Sequence, residues 1–142
     1  MKKRAASRRA VVLVDHGSRE AAANRQLAAV AGALAGRVPG RQVATAHLSI
    51  GRPSLPEAIE ACVAAGAREI VVMPYFLGPG RHVLRDVPRL ARAASARHAG
   101  VRIRIAAPLG VHAGIVATVA ARVREAARPR RAPRSASRTP SR

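Results

Sequence analysis

Apolar and polar positions follow two patterns along this chain: short apolar runs, and longer segments in which apolar residues recur every three or four positions. The short runs contain β-branched residues and predict four strands, at 10–15, 42–50, 69–77 and 101–106. The longer segments predict four helices, at 19–36, 54–65, 86–98 and 112–127. Apolar strands that alternate with helices predict an α/β fold. We expect a single domain with a parallel sheet of about four strands and helices on both faces.

Two of the predicted helices have start signals. Ser54 followed by Glu57 has the pattern of a capping box, in which each side chain hydrogen-bonds the backbone of the other residue. Asp86 is the predicted N-cap of the third helix. Pro88 then falls in the first turn of that helix, where proline is tolerated.

The composition is that of a folded domain with a core of small aliphatic residues. Of the 142 residues 49% are hydrophobic, and Tyr75 and Phe76 are the only aromatic ones. This scarcity disfavours nucleic-acid binding by stacking of bases on aromatic side chains. No apolar run reaches about 18 residues, so no transmembrane helix and no membrane partner are expected. The single Cys62 excludes an intrachain disulfide and a multi-cysteine metal site, and a cytoplasmic protein is expected.

The formal net charge of +19 is concentrated at the two ends of the chain. Five basic residues lie in 1–9 and six in 128–142, and neither segment has an acidic residue. We divide the chain into a basic N-terminal extension (1–9), a domain (10–127) and a tail (128–142) that is predicted to be disordered because it lacks large apolar residues. Nucleic acid is a possible partner only through these basic tails. The alternative is a coding bias, since the chain has 24 Arg and 2 Lys.

Histidines are found where the predicted strands end. His16, His47, His82 and His112 lie at or just after strand ends, whereas His98 lies at a helix end. Ligands of parallel sheets bind outside the carboxyl ends of the strands. The four histidines are therefore expected at one edge of the sheet.

His16 and His82 are the candidates for chemistry, because each lies in a glycine-containing turn. Imidazole is the commonest metal ligand and acts as a base near neutral pH. Two convergent histidines suit a labile, partly open site for Co, Fe, Ni or Zn. The alternative is that each histidine only hydrogen-bonds its own turn.

The chain contains no phosphate-binding G-x-x-x-x-G-K-[ST] loop, no dinucleotide-binding G-x-G-x-x-G loop after strand one and no G-x-S-x-G nucleophile motif.

Four motifs occur in a fixed order along the chain. They are VDHGSR at 14–19, PSLPEAI at 53–59, VMPYFLGPGRH at 72–82 with DVP at 86–88, and PLGVH at 108–112. Together they resemble the small class II tetrapyrrole chelatases of the CbiX type, which are sirohydrochlorin cobaltochelatases and ferrochelatases. The resemblance covers about residues 10–125.

The resemblance implies that a divalent metal, Co²⁺ or Fe²⁺, is inserted without ATP into sirohydrochlorin, on the routes to cobalamin or sirohaem. It implies no permanently bound cofactor, because the metal (Co²⁺, Fe²⁺ or Ni²⁺) is a substrate. His16 and His82 correspond to the metal-binding histidines, and His16 also to the base that accepts a pyrrole proton. Relatives of this length pair as homodimers.

The same resemblance assigns residues to the tetrapyrrole. The loop expected to contact the macrocycle consists of Phe76, Leu77, Gly78, Pro79, Gly80 and Arg81. Arginines near this edge, among them Arg19, Arg81 and Arg85, suit bidentate recognition of the substrate's carboxylates.

One position departs from the family pattern. Ser49 occupies the place of a glutamate that is thought to contact substrate or assist metal delivery, and a hydroxyl supplies no negative charge. His47 lies two residues earlier, on the same face of a regular strand, and we hypothesise that it partly compensates. The alternatives are that His47 is a packed core residue, and that the protein is a non-catalytic metal or tetrapyrrole carrier.

Overall fold

The computed structural model describes residues 7–129. Residues 1–6 of the predicted basic extension and 130–142 of the predicted tail lie outside the described residues. The chain divides into two compact units, one that ends at Gly110 and one that begins at Val111.

The first unit contains a four-stranded parallel sheet, as predicted. Its strands are β1 (Arg9–Gly17), β2 (Arg41–Ile50), β3 (Glu69–Pro74) and β4 (Arg102–Ile105), in the order β2-β1-β3-β4. Its helices are α1 (Ala21–Ala35), α2 (Leu55–Ala64) and α3 (Val87–Arg97), with a single π-helical turn (His82–Asp86) directly before α3. The strand order places β1 and β3 side by side at the centre of the sheet.

β1 presents alternate side chains to two hydrophobic clusters. Val12 and Val14 pack in the cluster that also contains residues of α2 and α3. Val11 and Leu13 pack on the opposite face with Leu27 of α1. Because strand side chains alternate between faces, this arrangement confirms the prediction of helices on both faces of the sheet.

The second unit contains one helix, α4 (Ala113–Ala127). Its N-cap is His112, whose ring nitrogen accepts a hydrogen bond of 3.0 Å from the backbone N–H of Gly114. No residue of α4 is buried within the part of the chain that the structure describes. Val116, Val119 and Val123 are 56%, 57% and 61% exposed, and their spacing places them on one face of α4.

The predicted capping box is present at the start of α2. The Ser54 hydroxyl accepts a hydrogen bond from the backbone N–H of Glu57, and the Glu57 carboxylate accepts one from the backbone N–H of Ser54. Hydrogen bonds from Ser54 and Arg52 to the Glu57 carboxylate lower the pKa of this group. The capping box satisfies two of the backbone donors that a helix start leaves free.

The predicted end of the third strand is wrong. The third strand ends at Pro74 rather than at 77, because proline has no N–H to continue the ladder. The carbonyls of Phe76 and Leu77 instead accept hydrogen bonds of 2.9 and 2.8 Å from the backbone of Leu109 and Gly110, after β4. Residues 76–77 therefore form a loop that a second backbone segment supports.

Asp86 lies at the N-cap position of α3, as predicted, but its side chain does not cap the helix. Its backbone is helical, with φ −76° and ψ −43°, and its side chain makes no capping hydrogen bond. Helical structure already begins at His82, and the Asp86 carboxylate contacts the His82 ring four residues earlier. Pro88 does lie in the first turn of α3, as expected.

Candidate active site

His16 and His82 meet at the carboxyl end of the two central strands. His16 lies near the end of β1, and His82 is the first residue of the π-helical turn that follows β3. Their ring centroids are 4.9 Å apart, with an angle of 70° between the ring planes. Both side chains are exposed, so a ligand can reach them from solvent.

This spacing fits two imidazoles that share one metal ion. With metal–nitrogen bonds of about 2.1 Å, ligand angles between a right angle and the tetrahedral angle put the ring centroids about 4.5–5.2 Å apart. The observed 4.9 Å lies within that interval. Within residues 7–129 no group of three or more His, Cys, Asp or Glu side chains is arranged to hold a metal ion. Two histidines without a third ligand of these types suit loose binding of a metal ion.

The backbone around His16 is fixed by contacts between β1 and β2. Asp15 is in register with His47, and its Oδ1 lies 2.5 Å from Nδ1 of that histidine. The His47 side chain is only 6% exposed, and its backbone N–H donates to the carbonyl of Pro53. Gly17 has φ +89° and lies so close to the carbonyl of Ile50 that no side chain fits there. His16 therefore projects from a closely packed strand end.

A side-chain amide fixes the loop that leaves His16. Asn24, in the first turn of α1, accepts a 3.1 Å hydrogen bond from the backbone N–H of Ser18 and donates a 2.8 Å one to its carbonyl. Arg19, at the tip of this loop, is exposed. The loop backbone is held while the arginine side chain stays accessible.

Ser49 and His47 have different surroundings. The register of β1 with β2 shifts between Asp15 and Gly17, where β2 advances by one extra residue. The extra residue makes this part of β2 a bulge, so the regular alternation assumed in the sequence analysis does not extend from His47 to Ser49. Ser49 is exposed, whereas His47 is buried with its Nδ1 paired to Asp15. The pairing favours a packing role for His47 over a compensating role at the metal.

A carboxylate holds the ring of His82. Oδ2 of Asp86 lies 3.0 Å from Nδ1 of His82, across the π-helical turn. Val83 in the turn and Val87 just after it are 6% and 0% exposed. The two valines anchor the turn in the core, while His82 and Asp86 remain accessible. Sequence reasoning missed this pair, although the spacing of four residues would have indicated it had a helix been predicted from 82.

A cleft of about 310 Å³ adjoins His16. Its walls include Asp15, Gly17, Tyr75 and Phe76. Of the residues predicted to contact substrate, Phe76 therefore lies beside His16. The sequence analysis did not assign Tyr75 to the site.

Five of the remaining predicted substrate contacts, namely Leu77, Gly78, Pro79, Gly80 and Arg81, lie on the loop before His82. Leu77 is 72% exposed, and Leu84 two residues after His82 is 69% exposed. Arg81 and Pro79 are also exposed, and Gly78 and Gly80 have open space where a Cβ would lie. Ser49, Arg19, Arg81 and Gly78–Gly80 are not among the residues that line the cleft beside His16.

Other groups considered in the sequence have structural roles. Burial raises the pKa of the Cys62 thiol, which packs in the core of α2. His98 ends α3, where its backbone N–H donates to the carbonyl of Ala94.

None of the helices between residues 7 and 129 has the length and apolar character that a membrane span requires.

The parallel sheet with histidines at its carboxyl edge places the protein among the α/β proteins, in which ligands generally bind outside the carboxyl ends of the strands. The chain belongs to the CbiX family, whose model matches residues 10–126. This is the family that the four sequence motifs indicated.

Individual relatives agree with this assignment. The chain is 37% identical over 102 residues to a chloroplastic sirohydrochlorin ferrochelatase of Arabidopsis thaliana, a match that covers 72% of this chain and 45% of the relative. The sirohydrochlorin chelatase SirB of Bacillus subtilis subspecies spizizenii, solved in complex with cobalt, superposes with a TM-score of 0.78 at 29% identity, over 83% of this chain and 50% of that one. A CbiX protein from Marinobacter aquaeolei superposes with a TM-score of 0.71 at 28% identity, over 83% of this chain and 96% of that one. The chain thus spans about half the length of the first two relatives.

Proposed function

We propose that this protein inserts a divalent metal ion, Co²⁺ or Fe²⁺, into sirohydrochlorin without ATP. The observation that carries the proposal is the pair of exposed imidazoles, His16 and His82, with ring centroids 4.9 Å apart at the carboxyl edge of the sheet. Membership of the CbiX family supports the assignment of sirohydrochlorin as the substrate. One relative is a ferrochelatase and another was solved with cobalt. Co²⁺, Fe²⁺ and Ni²⁺ all accept imidazole ligands, so availability can decide which is used.

The chemistry requires a metal carrier and a proton acceptor. Insertion replaces two pyrrole N–H protons with one divalent cation. A neutral imidazole can hold a metal ion through its free nitrogen and can take up a proton after the metal has left. We assign metal binding to His16 and His82, and removal of one pyrrole proton to His16, whose ring has no carboxylate within ion-pair distance among residues 7–129. Solvent water takes up the second proton.

The tetrapyrrole would lie against the loop before His82. Exposed Leu77 and half-buried Phe76 offer apolar surface to the ring. Gly78, Pro79 and Gly80 leave room for close approach. Arg19 and Arg81 carry guanidinium groups suited to carboxylates of the substrate.

A non-catalytic metal or tetrapyrrole carrier is the second candidate. It is favoured by Ser49, an exposed hydroxyl where the family pattern has a glutamate. Without that carboxylate the site has less negative charge with which to attract a cation. A Ser49→Glu variant separates the two functions, because a large gain in insertion rate would mean that the natural protein is catalytically weakened.

We also propose a homodimer. The support is α4, which exposes three valines on one face among residues 7–129. Burial of such a face in a second copy would remove apolar surface from water. Light scattering coupled to size-exclusion chromatography tests this, and a monomer at all concentrations would refute it.

A cytoplasmic location and a nucleic-acid contact through the tails stay predictions from sequence.

The deciding experiment is anaerobic insertion of Co²⁺ into sirohydrochlorin, followed by absorbance, with Fe²⁺ and Ni²⁺ compared on the same protein. We expect a rate well above background that falls to background in His16→Ala and His82→Ala. His98→Ala is the matched control, because it removes a histidine at the end of α3. A wild-type rate equal to background, with metal or tetrapyrrole still bound, would overturn the chelatase proposal in favour of the carrier.

A further inference from the structure

The two candidate metal-binding histidines are held in different ways. Nδ1 of His82 lies 3.0 Å from a carboxylate oxygen of Asp86. Nδ1 of His16 has only a 3.4 Å contact with the carbonyl of Gly17, the next residue along the chain. One ring is thus held by a charged group and the other is weakly held.

The contact with His82 is built into the backbone. His82 and Asp86 are the first and last residues of the single π-helical turn, which the backbone N–H of Val87 closes by donating to the carbonyl of His82. Val83 and Val87 bury the inner side of this turn. The His82 and Asp86 side chains are 47% and 35% exposed, so a ligand can still reach the ring. The turn thereby presents an oriented imidazole to the site.

We propose that Asp86 is a positioning residue for metal binding, which selects the tautomer and the direction of the His82 ring. This inference rests on the proposed function, because it assigns His82 to the metal. A neutral imidazole has one N–H and one lone pair, and an ionised carboxylate only accepts hydrogen bonds. Asp86 therefore keeps the proton on Nδ1, which leaves the lone pair on Nε2 for the metal.

The competing explanation for Asp86 is purely structural, as a residue that stabilises the start of α3. Its side chain makes no capping hydrogen bond to the backbone of α3, which speaks against this role. The two explanations differ in what they predict for the ring. A structural residue affects the stability of the protein, whereas a positioning residue affects the tautomer of His82 and the affinity for metal.

The test compares the wild-type protein with Asp86→Ala, Asp86→Asn and Glu125→Ala. Glu125 is the matched control, because its carboxylate also contacts a side chain of its own helix, Arg122 in α4. Long-range ¹H–¹⁵N spectra of the histidine rings above neutral pH report the tautomer of His82 without any metal. Titration calorimetry with Co²⁺ alone reports metal affinity, and thermal unfolding reports stability.

We expect the Nδ1–H tautomer in the wild-type protein and in Glu125→Ala, and a mixture of tautomers in Asp86→Ala. Metal affinity in Asp86→Ala should fall about 10- to 100-fold, the usual effect of removing the partner of a metal-binding histidine. Asp86→Asn keeps the shape and one acceptor oxygen, so its loss should be smaller, and it carries the test if Asp86→Ala does not fold. In the insertion assay the KM for metal should rise more than kcat falls.

An Nε2–H tautomer for His82 in the wild-type protein would overturn the proposal. So would a Co²⁺ affinity that is the same in Asp86→Ala and the wild type. Failure of the proposed function looks different: the wild-type protein would hold the Nδ1–H tautomer and bind Co²⁺, but would not insert it.

Discussion

Gly17 is the position where a single methyl group should do most damage to the site. An added Cβ would lie 1.7 Å from the carbonyl oxygen of Ile50, 2.7 Å from its carbonyl carbon and 3.1 Å from Cβ of His47. Ordinary contact begins near 3.4 Å, so the two strand ends would have to separate by roughly 1.7 Å. The backbone of Gly17, with φ +89°, is also a conformation that side chains disfavour.

The expected cost of Gly17→Ala follows from these two effects. A residue held in a strained backbone region costs about 1–3 kcal/mol. Overpacking of a closely packed site costs about 1–3 kcal/mol more. We therefore expect the free energy of unfolding to fall by about 2–6 kcal/mol, and the melting temperature by about 6–18 °C for a chain of this size.

Urea unfolding followed by circular dichroism measures this change, with Gly32→Ala as the control. Gly32 lies inside α1 with nothing within 4 Å of an added Cβ, so alanine there should stabilise the protein by about 0.5–1 kcal/mol. Gly17→Ala should also weaken Co²⁺ binding, because His16 moves with the strand end. Wild-type stability in Gly17→Ala would refute the inference that close packing of β1 on β2 fixes His16.

Three further predictions concern α2. Ser54→Ala removes the capping hydroxyl and should lower the free energy of unfolding by about 1 kcal/mol in the same urea assay. Ser54→Asp should retain most of the stabilisation that the cap provides, because aspartate also accepts a capping hydrogen bond. Because hydrogen bonds lower the pKa of Glu57 in the folded protein, its stabilising effect is present above the ordinary carboxyl range and is lost as the pH falls through the lowered value. Glu57→Gln should therefore weaken the dependence of stability on pH in acid, and an unchanged acid transition would contradict this. Cys62 is buried with a raised pKa, so a thiol reagent should modify it at neutral pH only as fast as the protein unfolds, and rapid modification of the folded protein would contradict its core position.

The elements that sequence predicts well are those whose signals are local. The run around 10–15 marks a strand because consecutive apolar residues suit a sheet covered on both faces, and 101–106 marks one because apolar residues alternate there with arginines. The Ser54 and Glu57 spacing identifies the start of α2 because both partners of the capping box lie in one turn. Pro74 is the last residue of β3, and the apolar residues after it concealed this end.

The parts of the site that sequence missed depend on contacts between elements or on an unusual turn. The pairing of Asp15 with His47 requires the register of β1 against β2, which no local pattern gives. The bulge beside Ser49 is a property of the same register. Asp86 was assigned to a cap because Asp followed by Val-Pro resembles a helix start, whereas the π-helical turn begins four residues earlier. Both candidate histidines were found because strand ends in a parallel sheet share an edge.

The adjacency of β1 and β3 has a thermodynamic consequence. His16 and His82 are far apart in the sequence, and they come together only when the centre of the sheet has formed. A metal ion that needs both imidazoles therefore binds the folded chain in preference to the unfolded one. At a free metal concentration one hundred times its dissociation constant, this linkage would add about 2.7 kcal/mol to stability. Under the proposed function the metal would act as a reversible cross-link between the segments that follow the two central strands, and its delivery to the macrocycle would release that cross-link in each turnover.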